Sequence, residues 1–445
     1  MKFPMNMINS FKKISVHKTV FAISLLIGLT ISAIYTKAQI PEKPQELQQY
    51  LHKALESSPE IRAAVYAYEA QLARLPQTGL LPDPEVMLGF YANPENGGSF
   101  PGRFAFGVQQ MFPWPGSLST EREAEQLRAR AALFNLHSVM QEVLEEVEQR
   151  WMDYYYFEQV VLLMDRQLEL LEELIPVAES RFSSGIGTQA DVLRLEMEIQ
   201  RMTTMVLNHH DQIKPTLIAF NNLFERSNFE LISIPDTLAF PDLNYQDWEL
   251  LRLARQQNPE LMALEEERRS YEKNRELARI SGLPDFSVGL EVMGRDYAGM
   301  MLMDKEAVVA QVGIRIPLQR NRYRAAQNEA MQRANQVRST SDSRIAQIES
   351  ELISLYKLLR NQERNSLLYS REMLPRAHHI YELLLEAYAN GNASLDEILQ
   401  IQRDIIDYKL QVHESAVEGW KLISRIQSLT GSFDISEKAP QAEQF

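Results

Sequence analysis

The 445-residue chain contains no cysteine. That excludes a disulfide framework, a thiolate metal site, a cysteine nucleophile and a lipid attached through cysteine. Glycine and proline are missing from Ser117 to Ile175 and again from Leu318 to Leu374. Neither run holds the usual helix breakers, and both are rich in Glu, Gln, Arg, Leu and Ala. Positive charge is scarce as well, and the formal net charge is −14. Beyond residue 38 there is no apolar run of 18 residues, so no later membrane helix is expected. Also missing are an HExxH, a P-loop and any nucleophile–base set. Gly185-Ile186-Gly187 imitates part of a dinucleotide motif, but no strand precedes it. The chain therefore reads as a non-enzyme, with no cofactor and no bound metal expected.

Residues 1–38 read as a secretory signal. Lys2, Lys12, Lys13 and Lys18 make a basic start, Val20 to Ile34 is a 15-residue apolar run, and Thr36-Lys37-Ala38 offers a cleavage site before Gln39. Without this segment, which carries five lysines and no acids, the net charge becomes −19. So acidic a product is repelled by nucleic-acid phosphates, and no nucleic-acid partner is expected.

What is present is written twice. Pro59-Glu60 recurs as Pro259-Glu260, 200 residues on, and Leu81-Pro82-Asp83 as Leu283-Pro284-Asp285, 202 on. Pro113 recurs as Pro317 after 204 residues, and Gly185 and Leu193 recur as Gly391 and Leu399 after 206. Two repeats, 39–237 and 238–431, with a tail at 432–445, follow from this duplication. In the first breaker-free run Leu136, Met140, Val143, Val147, Trp151 and Tyr154 step by four and three, and Val161, Met164, Leu168, Leu171 and Ile175 continue. This is the stripe of nearly parallel packed helices. Pro176 and Pro375 interrupt, but helical composition resumes to Gly185 and Gly391. Each outbound helix then spans about 65–70 residues, or ~100 Å. Thr188 to Arg226 and Ala393 to Thr430 supply return helices. Pro44 to Gln77 and Gln246 to Ile280 supply shorter helices laid in line with them.

Between the short and long helices the period changes to two. Val86, Leu88 and Phe90 alternate with Met87, Gly89 and Tyr91. Phe104, Phe106 and Val108 alternate with Ala105, Gly107 and Gln109. The same holds for Phe286 to Val292 and for Val308 to Ile316. These are strands in two hairpins, 85–113 and 286–317. One face is large and apolar. The other carries Gln109, Glu291, Gln311 and Arg315, which suits a water-filled lumen behind a lipid-facing wall. Phe100, Tyr91, Trp114 and Tyr297 sit near strand ends, as in aromatic belts. Four strands cannot close a barrel, and an open edge in lipid leaves backbone groups without partners. Several copies must therefore share one barrel.

On these features the chain resembles the TolC-like outer-membrane efflux factors over about Glu42 to Gly431. The resemblance rests on the duplication, the hairpin after each short helix, and the tip signatures Arg181-Phe182-Ser183-Ser184-Gly185 with Asp191-Val192-Leu193, and Tyr388-Ala389-Asn390-Gly391 with Glu397-Ile398-Leu399. It implies a mainly α fold with a small β part. Duplicated α-hairpins would form a periplasmic α-barrel, and two β-hairpins per copy would supply a twelve-stranded transmembrane β-barrel in a homotrimer. It further implies an outer-membrane location and a passive export role for metal cations or small toxic compounds. The implied partners are a periplasmic adaptor (membrane fusion protein) and an inner-membrane pump of the RND type. Arg181, Gly185, Tyr388 and Gly391 are then candidates for adaptor docking, and Asp191, Asp396 and Glu397 for an acidic tunnel mouth that attracts cations. Each set has a plainer alternative: turn glycines and solvated helix faces. Gln109-Gln110-Met111-Phe112-Pro113-Trp114-Pro115-Gly116 resembles a segment of the subgroup that serves metal-cation pumps. Many members of the family carry a lipidated cysteine, so here the barrel alone would hold the membrane. His209-His210 and His378-His379 are adjacent on helices, about 100° apart, and chelate poorly. Met300, Met301 and Met303 are soft-metal candidates in the second hairpin loop. A secreted or periplasmic coiled-coil structural or adhesion protein is the alternative reading.

Overall fold

The computed structural model describes residues 41–91, 103–224, 227, 229–295 and 304–433. The expected signal segment, Phe100, Tyr297, Met300, Met301, Met303 and all but the first two residues of the tail lie outside that set.

The first repeat runs α1 (Gln45–Ser57), α2 (Pro59–Leu72), β1 (Glu85–Tyr91), β2 (Arg103–Phe112), α3 (Ser117–Glu172), α4 (Ile175–Ser183) and α5 (Gln189–Asn222). The second runs α6 (Asp247–Gln257), α7 (Pro259–Ile280), β3 (Asp285–Arg295), β4 (Asp304–Arg315) and α8 (Arg320–Leu367). A π-helical turn (Leu368–Met373), α9 (Leu374–Ala389) and α10 (Leu395–Thr430) complete it. The fold is mainly helical with one small antiparallel sheet.

Each expected 35-residue short helix is in fact two. Ser58 and Asn258 adopt ψ of 125° and 118°, extended values forced on a residue that precedes proline. Pro59 and Pro259 then restart the helix at its first position, where a missing N–H costs nothing. Asn258 ties the break down. Its Oδ1 accepts from the Leu261 N–H at 3.0 Å, and its Nδ2 donates to the Leu429 carbonyl at 2.9 Å. The two outbound paths also break at different levels. Pro176 lies nine residues before Gly185, whereas Pro375 lies sixteen before Gly391. The first break is a turn at Glu173–Leu174, the second a π-helical turn that keeps the rod continuous.

Long helix α3 packs against α1, α2, α5, α7 and α10, while α8 packs against α6, α7 and α10. Helix α7 thus lies against both long helices and joins the repeats. The stripe Leu136, Met140, Val143, Val147, Trp151 and Tyr154 is buried throughout. Beyond it the phase slips by one residue: Val160, Met164, Gln167, Leu171 and Leu174 are buried, while Val161, Leu168 and Ile175 are only half-buried. Gln167 is tolerated in that seam because its amide donates to Gln402 Oε1. Near the middle of α3, Lys43 pairs with the buried Glu148, and its ammonium lies 4.0 Å from the Phe433 ring centroid. Burial pushes the Glu148 carboxyl above its ordinary range and the Lys43 amine below its own, against the attraction between them.

The sheet has the order β1-β2-β3-β4, all antiparallel. Its central pairing, β2 with β3, joins one hairpin to the other, with Gly107 opposite Glu291 and Val108 opposite Leu290.

Candidate functional site

Cross-strand partners share a face, so the register sorts the side chains. One face holds Val86, Val108, Leu290 and Ala310 in one row, and Leu88, Phe106, Val292 and Val308 in the next. Phe112, Phe286 and Ile314 form a further row. These side chains are largely exposed, with Leu88 at 82% and Val312 at 80%. Gln110, opposite Val288, is the polar side chain among them, and its amide donates to the Pro82 carbonyl at 2.7 Å.

The opposite face holds all four expected lumen residues. Gln109, Gly289 and Gln311 share a row, Gly107 and Glu291 the next, and Arg315 pairs with Asp285 at its base. Gln311 Nε2 donates to Glu291 Oε2 at 2.6 Å, and Arg315 Nη1 lies 3.9 Å from Asp285 Oδ2. Ala105 and Gly107 are buried on this side. A Cβ on Gly313 would push the Ser287 hydroxyl to another rotamer, and no backbone atom stands in its way. The outer strands β1 and β4 each pair on one side alone among the described residues. Where the sheet meets the helices, Trp114 stacks on Phe286, with centroids 5.8 Å apart, and its backbone N–H donates to Asp285 Oδ1 at 3.3 Å.

At the far end, both helix reversals are built alike. Gly185 (φ 72°) and Gly391 (φ 78°) occupy the left-handed region. The Ile186 N–H donates to the Arg181 carbonyl at 3.0 Å and Gly185 to Phe182 at 3.0 Å. The same pair recurs as Asn392 to Ala387 at 2.8 Å and Gly391 to Tyr388 at 3.0 Å. Both are Schellman closures, which satisfy the last carbonyls of a helix. Three residues later each return helix opens on a capping box. Thr188 exchanges bonds with Asp191, and Ser394 does so with Glu397. The reciprocal T-x-x-D and S-x-x-E spacing is present in the sequence, yet neither Thr188 nor Ser394 stands among the expected site residues.

The two turns touch. Arg181 Nη1 donates to the Tyr388 carbonyl, and its guanidinium lies 4.0 Å from the Tyr388 ring centroid. Tyr388 is buried, and burial raises its phenol pKa against the opposing pull of Arg181. The candidate acids are engaged locally. Asp191 Oδ2 accepts from the Thr188 N–H at 3.0 Å. Glu397 Oε2 accepts from the Ser394 N–H at 2.8 Å and from its hydroxyl at 2.9 Å, which holds the carboxyl below its ordinary range. Asp396 pairs with Arg194, a residue to which the sequence assigns no role. Phe182, Ile186, Leu193 and Met197 leave exposed apolar side chains beside these turns. The histidine pairs are not brought together as ligands. His378 Nδ1–H donates to the Leu374 carbonyl at 2.8 Å, and the His209 ring lies 6.2 Å from Phe157. Among the described residues no three His, Asp or Glu side chains gather as a metal site.

No family model matches this chain. No curated protein matches it either. Solved structures do. The outer-membrane channel OprN superposes with a TM-score of 0.74 at 14% identity, over 89% of this chain and 94% of that one. CusC, described for transmembrane channel formation, gives 0.74 at 15% identity over 89% and 95%. The outer-membrane protein VceC of Vibrio cholerae gives 0.71 at 14% over 87% and 97%. At such identities the likeness speaks for the fold. The architecture is that of these outer-membrane channel structures, the TolC-like fold that the resemblance leads one to expect.

Proposed function

We propose that three copies of this chain form an outer-membrane export channel of a tripartite efflux system. The chain would do no chemistry of its own. One observation carries this reading. The four-stranded sheet has an exposed apolar face, an opposite face of small and polar residues interspersed with Met87, Met111, Met293 and Val309, and two edges that lack partners among the described residues. In lipid the apolar face is stable and the edges are not, so sister copies would complete the cylinder. A trimer then supplies twelve strands, with Gln109, Glu291, Gln311 and Arg315 of each copy facing the pore. Exposed apolar residues on the helices, such as Leu193, Met197, Leu207 and Leu383, would meet neighbouring copies below.

In this assembly the turns at Gly185 and Gly391 stand at the periplasmic end, where an adaptor of an RND-type pump would dock around Arg181 and Tyr388. Asp191, Asp396 and Glu397 would contribute carboxylates to the mouth. The cargo would be metal cations or small toxic compounds, and the resemblance of Gln109–Gly116 to a segment of the metal-cation subgroup supports the former. A secreted coiled-coil or adhesion protein has no use for an exposed apolar strand face. Detergent extraction from outer-membrane fractions should yield a trimer, and deletion of the gene should sensitise cells to metals, dyes or antibiotics. Soluble periplasmic monomer as the sole species would overturn the proposal.

A further inference from the structure

The apolar strand face does not fade into the helices; it stops abruptly at positive charge. Along β4 and its exit, Val312, Ile314, Ile316 and Leu318 are all exposed, Leu318 at 85%. Two residues beyond Leu318 begin Arg320, Arg322 and Arg324, all exposed, in the first turns of α8. From Ala307 to Asn328 the chain contains no acid, although its net charge is −14. Among the described residues, none of these three arginines has a carboxylate within 4.0 Å. Arginines elsewhere on the helices are commonly paired: Arg255 with Glu349, Arg268 with Glu265, Arg344 with Glu260 and Arg425 with Glu145. Tyr323, between Arg322 and Arg324, packs over Gly282 just beyond α7. No side chain caps the start of α8, so its positive dipole end adds to the field. The matching level of the first repeat, residues 112–120, carries no charge and presents Trp114 instead.

We infer that the arginines at the start of α8, Arg320 and Arg324 on one face of the helix with Arg322 on the other, form a basic collar whose Arg320–Arg324 pair binds the headgroups of anionic phospholipids at the rim of the lipid-facing band. The inference rests on the channel reading. Position and complementarity support it. Apolar side chains that contact acyl chains end within about 7 Å of chain from guanidinium groups without protein counter-charges. A phosphodiester lies at that depth in a bilayer, and guanidinium binds phosphate oxygens in bidentate fashion. Clustered arginines beside a membrane segment draw anionic lipid. Three copies would place nine arginines around the ring, alternating with tryptophans from the first repeat.

The test uses the full chain, purified in neutral detergent, and native mass spectrometry after exposure to phosphatidylglycerol or phosphatidylcholine. The expected result is retention of phosphatidylglycerol at least about tenfold over phosphatidylcholine. That preference should be lost in R320Q/R322Q/R324Q while the trimer persists, and kept in R371Q/R376Q. High salt should weaken it in the unaltered chain, and R324Q alone should show a partial loss, so misfolding of the triple variant cannot mask the answer. Inorganic phosphate should not compete at millimolar concentration. No preference in the unaltered chain overturns the collar, as does a preference unchanged in the triple variant. A triple variant that falls to monomers with lipid preference intact assigns these arginines to contacts between copies and also overturns it. If the chain inserts into vesicles of neither composition, the channel reading fails along with the collar. Equal insertion into both, without lipid preference, removes the collar alone.

Discussion

Lys43 and Glu148 show how much a single buried pair can be asked to hold. Glu148 is 2% exposed at its side chain and Lys43 13%. Removing one partner strands the other charge, a loss of about 3–5 kcal/mol. K43M should therefore destabilise strongly, and K43M/E148Q should recover part of that loss. The pH dependence has a definite sign. Burial already raises the Glu148 carboxyl, and loss of Lys43 takes away what lowers it. An acid raised in the folded state is penalised at high pH and relieved on protonation. The deficit of K43M should shrink as pH falls from about 8 to about 5.5, measured by denaturant melts in detergent. If the deficit instead grows on acidification, the assignment is wrong. Two glycines make a second contrast at this scale. Gly185 has nothing within 4 Å of an added Cβ, so G185A should cost only the left-handed backbone, about 1 kcal/mol. At Gly431 a Cβ would collide with the Gln257 carbonyl oxygen, and G431A should lower the melting temperature several times more. Equal shifts would refute the steric difference. None of these pairings is visible in the sequence. Lys43 and Glu148 are 105 residues apart, and Arg181 and Tyr388 are 207 apart.

Elements are more legible than contacts, and the misses have local causes. Breaker-free runs and period-two runs mark the long helices and the strands, because those patterns reflect burial over many residues. Pro59-Glu60 and Pro259-Glu260 reveal the duplication, yet the restriction that each proline places on its predecessor, Ser58 or Asn258, also splits the short helix there. The stripe runs true to Tyr154 and then loses phase, because Gln167 occupies a seam position that apolar counting skips. At the tips the glycines stand out, while the capping boxes that follow them do not. That matters for Glu397, which both caps α10 and carries charge. The two roles separate by mutation. S394A keeps the carboxylate but weakens the first turn of α10 by ~1 kcal/mol, seen as faster amide exchange there. E397Q keeps the side-chain amide within reach of Ser394 but removes the charge. In planar bilayers E397Q should reduce preference for cations over anions, and S394A should leave it near the unaltered level. Unchanged selectivity in E397Q would leave Glu397 a cap and nothing more.

At the scale of the whole molecule, the sheet decides the fate of the chain. Val312 and Gln311 are neighbours in sequence but stand on opposite faces. V312K puts a charge where lipid is expected, at a cost of about 2–4 kcal/mol near the bilayer centre. Q311K puts the same charge beside Glu291. Membrane incorporation, followed by fractionation, should collapse for V312K and survive for Q311K. Comparable loss in both would refute the assignment of faces. The likeness to OprN, CusC and VceC covers nearly all of those chains at about one residue identical in seven. What carries over at that distance is the pattern of burial along rods and strands.

The central seam of the sheet has a temporal implication. Arg103 of β2 sits opposite Arg295 of β3, so the two hairpins meet only across most of the first repeat. A solitary hairpin is barely stable in water, and distant pairings form late. An emerging polypeptide must thus hold its first two strands unsatisfied until the second repeat arrives. During that interval an apolar sheet face lies uncovered, and a chain halted between the repeats would keep it so.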